Sequence, residues 1–458
     1  MVSSHQRITI LLATFLFGSA CKTTDTHYCP EDFLDNCDLK GRCIDKSDCS
    51  GNKQVCDVSI SDVSVSAFGT CVECTATEHA ACRGTTPVCR DNTCQGCTEG
   101  ECGSLGCLAD GSCGMCTMDR DCGSLACLPG GSCGKCTTHG DCESAACLPD
   151  GTCGSDTNVA YVAPNGTNNV MCTKTVPCTV SAALATSRLY VKFTGIKNEQ
   201  VSVSSKDVTF LADSGAKLTD TNPGTLLKVD GTSHLTIYDL EIAGAMGANN
   251  WGISLQAGNT AVVTLTRVKV TGNRGGGIVA LGGTLTVTQS TISSNQGGGI
   301  SIGGVGATFS LINNFITGNG DEMGADGTIF GGLFLGITVA GTNRLEFNTI
   351  VDNKAVINSG GIVCNVATFM GPNNIIAHNS LDQNTTATNA QTLGACMYPS
   401  SKVLNDASEL RLSGSFKLML GSTAIDQATT PSDVIVDFEG DARPSGSNKD
   451  IGADEYKP

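Results

Sequence analysis

Between residues 249 and 364, apolar side chains recur two positions apart, each time after a glycine: Gly252-Ile253-Ser254-Leu255, Gly277-Ile278-Val279-Ala280, Gly299-Ile300-Ser301-Ile302, Gly332-Leu333-Phe334-Leu335 and Gly361-Ile362-Val363-Cys364. Alternate side chains share one face of an extended chain, so each tetrapeptide predicts a short strand. An alternating apolar run closed by asparagine precedes most of them. Val263, Leu265, Val270 and Asn273 align with Leu285, Val287, Ile292 and Asn295, and again with Phe309, Leu311, Ile316 and Asn319. Later copies end at Asn353 and Asn379, so the asparagines are spaced 22, 24, 34 and 26 residues apart. A short period with variable loops describes a solenoid, each unit burying its apolar face only against its neighbours. Glycine and asparagine accept the left-handed backbone that a sharp corner requires. The expected fold is all-β, a parallel β-helix.

Stacking the coils in this register gives other residues their places. Ile278, Ile300 and Leu333 should pile one above another, and Cys364 takes the inward position of Leu255, Ala280, Ile302 and Leu335. Cys396 follows one coil later, within reach of a bridge between adjacent coils. Asn273, Asn295, Asn319, Asn353 and Asn379 form one column, with Asn314, Asn348 and Asn374 as a second. Amide stacks that satisfy corner backbone groups explain these columns better than a polar ligand stripe. Earlier strands are expected at 189–193, 201–203, 208–211 and 226–229.

Cysteine usage divides the 458 residues: 23 of 27 cysteines fall between Cys21 and Cys153. Cys116, Cys122, Cys127 and Cys133 recur 20 residues later as Cys136, Cys142, Cys147 and Cys153. Cys97, Cys102, Cys107 and Cys113 form the preceding copy, and Cys74, Cys82, Cys89 and Cys94 a looser one. Pairs such as Cys113 and Cys116 have the spacing of zinc knuckles. Export and units too small for a hydrophobic core favour two disulfides per unit instead, in one of three pairings. The arrays resemble cysteine-rich repeats that precede larger domains in bacterial surface proteins. Residues 71–154 are therefore read as a stiff stalk and 21–70 as a diverged cysteine-rich opening module.

The first 20 residues read as a signal peptide: Arg7, an apolar run from Ile8 to Phe17 too short to span a bilayer, then Gly18-Ser19-Ala20-Cys21. This segment resembles a bacterial lipoprotein signal, which implies acylation of Cys21, and Lys22 after it implies sorting to the outer membrane. Acylation leaves even numbers of cysteines to pair on both sides of the divide. Ordinary cleavage after Ala20 and secretion is the alternative. A net charge of -16 argues against nucleic acid as a partner.

Residues 155–458 form the β-helix with its ends. Tyr161-Val-Ala-Pro-Asn-Gly166, Pro177-Cys178-Thr179 and Val180-Ser-Ala-Ala-Leu-Ala185 resemble the opening of pectate-lyase-like β-helix domains, which implies a capping helix and a loop closed by Cys172 and Cys178. Gly421-Ser-Thr-Ala-Ile-Asp426, Asp437-Phe-Glu-Gly-Asp-Ala-Arg443-Pro444 and Asp450-Ile-Gly-Ala-Asp-Glu455 resemble the C-terminal region of bacterial right-handed β-helix proteins of the choice-of-anchor Q type. The resemblance implies a right-handed, single-stranded helix over about 161–455.

Few residues invite a chemical reading. Asp239 and Glu241 alternate on one strand, but Arg267 and Lys269 occupy the same positions one coil later, so cross-strand ion pairs are expected rather than a carboxylate pair for glycan or ion contact. Asp321, Glu322 and Asp326 lie in an insertion whose oxygens could hold calcium, although hydrated acidic loops are commoner; no other cofactor is expected. The aspartate clusters and Arg-Ile-Lys of polygalacturonases are absent. A pectate-lyase-like base would fall to Arg267, Arg274 or Arg344, none within a recognisable motif. His234 and His378 also lack a motif, and Trp251, the sole tryptophan, is a poor platform for a processive carbohydrate enzyme. Two functions compete. The first is a monomeric, lipid-anchored surface protein that presents its β-helix for adhesion or polysaccharide contact. The second is a polysaccharide lyase or glycoside hydrolase. Missing catalytic motifs favour the first; three or more charged side chains converging on one concave face would favour the second.

Overall fold

In a computed structural model, the residues described are 42–43, 49–57, 69–78, 82–258, 260–321, 328–336, 343–366 and 369–457. They form two compact units. One holds the chain up to Glu143 together with Pro149–Cys153; the other holds Ser144–Leu148 and the residues from Gly154 onward.

The second unit is a parallel β-solenoid with three long sheets of eight, nine and eight strands. Each coil contributes one strand to each, as Val262–Thr266, Lys269–Thr271 and Ile278–Ala280 do in turn. Registration across coils is strict in the third sheet, where Ile253, Ile278, Ile300, Leu333 and Ile362 are successive partners. All five are fully buried. Two short second-sheet strands that the alternation did not reveal, Ile196–Asn198 and Lys217–Thr219, complete the early coils. Three residues carry too little periodicity to stand out.

Two columns of left-handed residues turn the corners. Asp239, Arg267, Gln289, Asn313, Phe347 and Asn373 join the first sheet to the second with φ between 52° and 62°. Gly272, Ser294, Gly318, Asp352 and His378 do the same between the second and third. The residue after each points inward. After the second column comes Asn273, Asn295, Asn319, Asn353 or Asn379, all fully buried. Each amide donates to the Oδ1 of the next asparagine at 2.9–3.0 Å and to a carbonyl of the previous coil, and Gln391 ends the ladder beyond Asn379. Asn314, Asn348 and Asn374 form the corresponding ladder at the other corner. A bend that frees backbone donors and acceptors inside a dry core is thereby satisfied coil by coil.

The ends are closed differently. At the N-terminal end lies the helix Val180–Ala185, capped by the Thr179 side chain and by Glu199, whose carboxylate accepts from Val180 and Ser181 at 2.8 Å. Cys172 and Cys178 are disulfide-bonded beneath it, and Cys364 is bonded to Cys396 of the next coil. At the other end the outward residues of the second sheet change from Lys217, Glu241 and Lys269 to Phe315, Val351 and Ile375, and the last residues fold back over them. Leu410, Leu418, Ala424 and Ile451 pack against Val351 and Ile375, while Phe438 meets Phe315 at 4.6 Å.

In the first unit, cysteines are among the few buried side chains of three repeats, Cys74 and Cys82, Cys116 and Cys122, and Cys136 and Cys142, while those of the repeat from Cys97 to Cys113 are half-buried. Bonds join the first cysteine to the third and the second to the fourth: Cys97–Cys107 and Cys102–Cys113, Cys116–Cys127 and Cys122–Cys133. Cys74–Cys89, Cys82–Cys94 and Cys142–Cys153 fit the same order. Sulfurs oxidised in pairs leave no thiolates for zinc at these positions. Successive repeats are also clasped by backbone bonds, Cys133 to the Ser104 carbonyl and Cys153 to that of Ser124. The Asp119 carboxylate bridges the Cys127 and Glu143 amides.

Candidate functional site

The loops between second- and third-sheet strands leave a lateral groove of about 550 Å³, lined by Asn249, Trp251, Arg274, Gln296, Asp321, Thr328, Ile329 and Phe330 with the outward Ser301 and Phe334 of the third sheet. Its floor is bare backbone at Gly275 and Gly297. Arg274 and Gln296 reach it because each follows a ladder asparagine, so the chain must turn outward there. Trp251 comes from the coil before and lies against Gly276, where an added Cβ would sit 2.3 Å from the indole. From the opposite side Phe330 covers Gly298, where a Cβ would fall 2.7 Å from its ring. Phe330 and Phe334 are neighbours, with centroids 5.7 Å apart. Two glycine coils between two aromatic walls are what opens this trench, and Trp251 lines it rather than filling a corner.

The three arginines named from sequence separate here. Arg267 is bidentate to Asp239 at 2.7 and 2.8 Å. Arg344 pairs with Glu346 at 2.8 Å and with Asp433. Hydrogen bonds to these carboxylates hold both arginines above the ordinary guanidinium value. Arg274 is exposed, and its guanidinium has no hydrogen bond or ion pair among the described residues. Glu241 departs from expectation. It does face Lys269 in register, but its ion pair is with Lys217 of the preceding coil, at 2.6 Å. A carboxylate between two lysines in one column can choose either, and it takes the earlier one, leaving Lys269 exposed.

Both histidines are exposed and bonded to an aspartate of the preceding coil at 2.7 Å, His234 to Asp207 and His378 to Asp352. Asp321 reaches the groove edge, while Glu322 and Asp326 lie outside the described residues, as do Cys21 and the signal segment. Asp321 is thus the one acidic ligand described at the expected calcium position, and its amide and carbonyl are both bonded to Thr328. Calcium takes six to eight oxygens, and two of the three carboxylates expected to supply them lie outside the described residues.

The C-terminal motif makes a buried polar knot away from the groove. Arg443 donates to Glu455 at 2.9 Å and to the Asp450 and Gly452 carbonyls. Asp437 gathers the amides of Glu439, Asp441 and Glu455. Burial raises Asp450 and Asp454 to about 6. Gln289 and Asn313 of the first corner column donate to the carbonyls of Asp437 and Val436, Asn373 to that of Thr430, and Arg443 lies 4.7 Å from the Phe347 ring. These residues fasten the returning chain to the coils, which accounts for the motif without catalysis.

A family profile described as a right handed beta helix region matches residues 225–409, and the chain has that fold. A comparison with curated proteins finds no match. Among solved structures the chain is similar to the crystal structure of pectate lyase Pel9A, at 18% identity over 66% of this chain and 97% of that chain, with a TM-score of 0.39. No helix among the described residues is long and apolar enough to cross a membrane.

Proposed function

We propose that this is an exported, monomeric surface protein, held to the outer membrane through acylated Cys21, whose cysteine-rich repeats present a β-helix for contact with an extracellular glycan. The observation that carries the glycan reading is the groove itself. It brings the single tryptophan, an arginine unpaired among the described residues and an amide side chain together over a glycine floor. An indole face stacks on the C–H face of a sugar, while arginine and glutamine supply directional hydrogen bonds. Only two charged side chains, Arg274 and Asp321, line the groove among the described residues, fewer than the three that would favour an enzyme, and only one of them is a carboxylate where a glycosidase uses two.

Glycan arrays probed with the purified protein test the proposal: binding should be detected and should fall at least tenfold with Trp251→Ala. No binding to any glycan would refute it. Anchoring is tested separately by labelling cells with a lipid precursor, where Cys21→Ala should abolish the label and release the chain; an unchanged label sinks the anchor and leaves secretion. A lyase reading draws on Arg274, the one of the three candidate bases without a carboxylate partner among the described residues. Incubation with uronic-acid polymers would then yield unsaturated products that Arg274→Ala abolishes.

A further inference from the structure

Building on the glycan-contact reading, we infer that the groove takes the terminal residue of a glycan bearing both a carboxylate and an N-acyl group, in preference to a polyuronate or a neutral sugar. Arg274 asks for an anion, because an exposed guanidinium with no carboxylate partner among the described residues can still form a bidentate charge-assisted pair. Gln296 asks for an amide, since its side chain offers the donor and acceptor that a secondary amide complements. The two follow Asn273 and Asn295 of adjacent coils, so their backbones stand about 4.8 Å apart, the scale of a single sugar ring.

The far wall adds an apolar requirement. Ile329 is 53% exposed at the rim, with Phe330 and Phe334 beside it. A uronate brings no methyl group to cover them, whereas an acyl methyl does. Asp321 on the same wall and the net charge of -16 oppose a ligand with a carboxylate on every unit. One anionic residue at a chain end meets Arg274 without bringing a second charge toward Asp321. The cavity size, within the range of small-ligand sites, agrees with an end residue rather than a long polymer.

The test is direct binding of the purified full chain to three probes: a trisaccharide ending in N-acetylneuraminic acid, the same glycan without that residue, and trigalacturonate. The first should bind at least tenfold more tightly than either of the others. Arg274→Ala should reduce it at least tenfold toward the level of the uncharged glycan, and Trp251→Ala should weaken both, with thermal melts unchanged in each variant. Trigalacturonate or the uncharged glycan binding as tightly as the first would overturn this inference and leave glycan contact standing. Failure of all three probes, with no binding on the wider array, would remove the underlying reading as well.

Discussion

Both units of this protein are linear repeats, yet they solve one problem in opposite ways. A coil of the solenoid fills its interior with residues such as Ile278, Leu285 and Ile292 and satisfies its corners with an asparagine ladder. A 20-residue cysteine repeat has no room for such filling and is held by two disulfides instead, as Cys116–Cys127 and Cys122–Cys133 hold theirs. Where apolar area is too small to offset chain entropy, cross-links that restrict the unfolded chain take over. Each unit also carries its own electrostatic signature. Carboxylates of the repeats cap exposed amides, whereas those at the end of the solenoid are buried.

Reduction should separate the two most strongly. Loss of each disulfide costs a repeat about 2–5 kcal/mol, more than it has to spare. Under dithiothreitol, limited proteolysis should cut within 71–153 while a fragment of about 155–458 persists with its β-sheet circular dichroism. Parallel loss of both would show that the solenoid also depends on its bridges.

Next in size is Asn319→Ala, the counterpart inside the solenoid. It removes the acceptor for the Asn295 amide and the donor to Asn353 and to the Ile292 carbonyl, leaving several buried polar groups unpaired. A loss of about 3–4 kcal/mol in denaturant melts is expected, since each costs about 1–3 kcal/mol and they do not add fully. Melting of the cysteine repeats should not change.

Acid should act on the two units with opposite sign. Asp454 has its pKa raised by burial to about 6 from 3.8, so the native state keeps its proton where the unfolded chain has lost it. Its contribution is complete below about pH 4 and disappears as pH rises through 6. Asp454→Asn should therefore stabilise the solenoid by about 1–2 kcal/mol at pH 7.5 and change nothing at pH 3.5, as read from melts. In the repeats, Glu101 is lowered to about 2 by its hydrogen bonds from Arg90 and Thr98, and Asp141 to about 2 by the amides of Thr137 and Thr138. Their contribution is present above about pH 4.5 and is lost as pH falls through 2, which hydrogen exchange of the repeat amides would follow. The smallest effect belongs to Asp239→Asn. Its half-exposed pair with Arg267 contributes about 0–1 kcal/mol, and a larger loss would point to a role for that pair beyond the corner.

Repetition made much of this legible beforehand. A buried column such as Ile278, Ile300 and Leu333 can be aligned by eye, because every coil imposes the same requirement, and the asparagine columns follow from the same register. The groove could not be read that way. It exists where coils differ, at Trp251, Gly276, Gly298 and Phe330, and a single aromatic or glycine has no period to betray it. One signal was present: Gly275-Gly276-Gly277 and Gly297-Gly298-Gly299 are more glycine than a corner requires, which marks a surface that something approaches closely.

The amino-acid sequence by itself determined the coil, its register, the cysteine period and the inward asparagines, since each answers to neighbours at a fixed offset in the chain. Tertiary structure decided which cysteine bonds which, that Glu241 turns to Lys217, that the last residues close the apolar half of the second sheet, and that Arg274 alone of three arginines is left unpaired among the described residues. Those outcomes turn on distances between residues whose separation along the chain follows no rule, and only folding brings such partners within reach of one another.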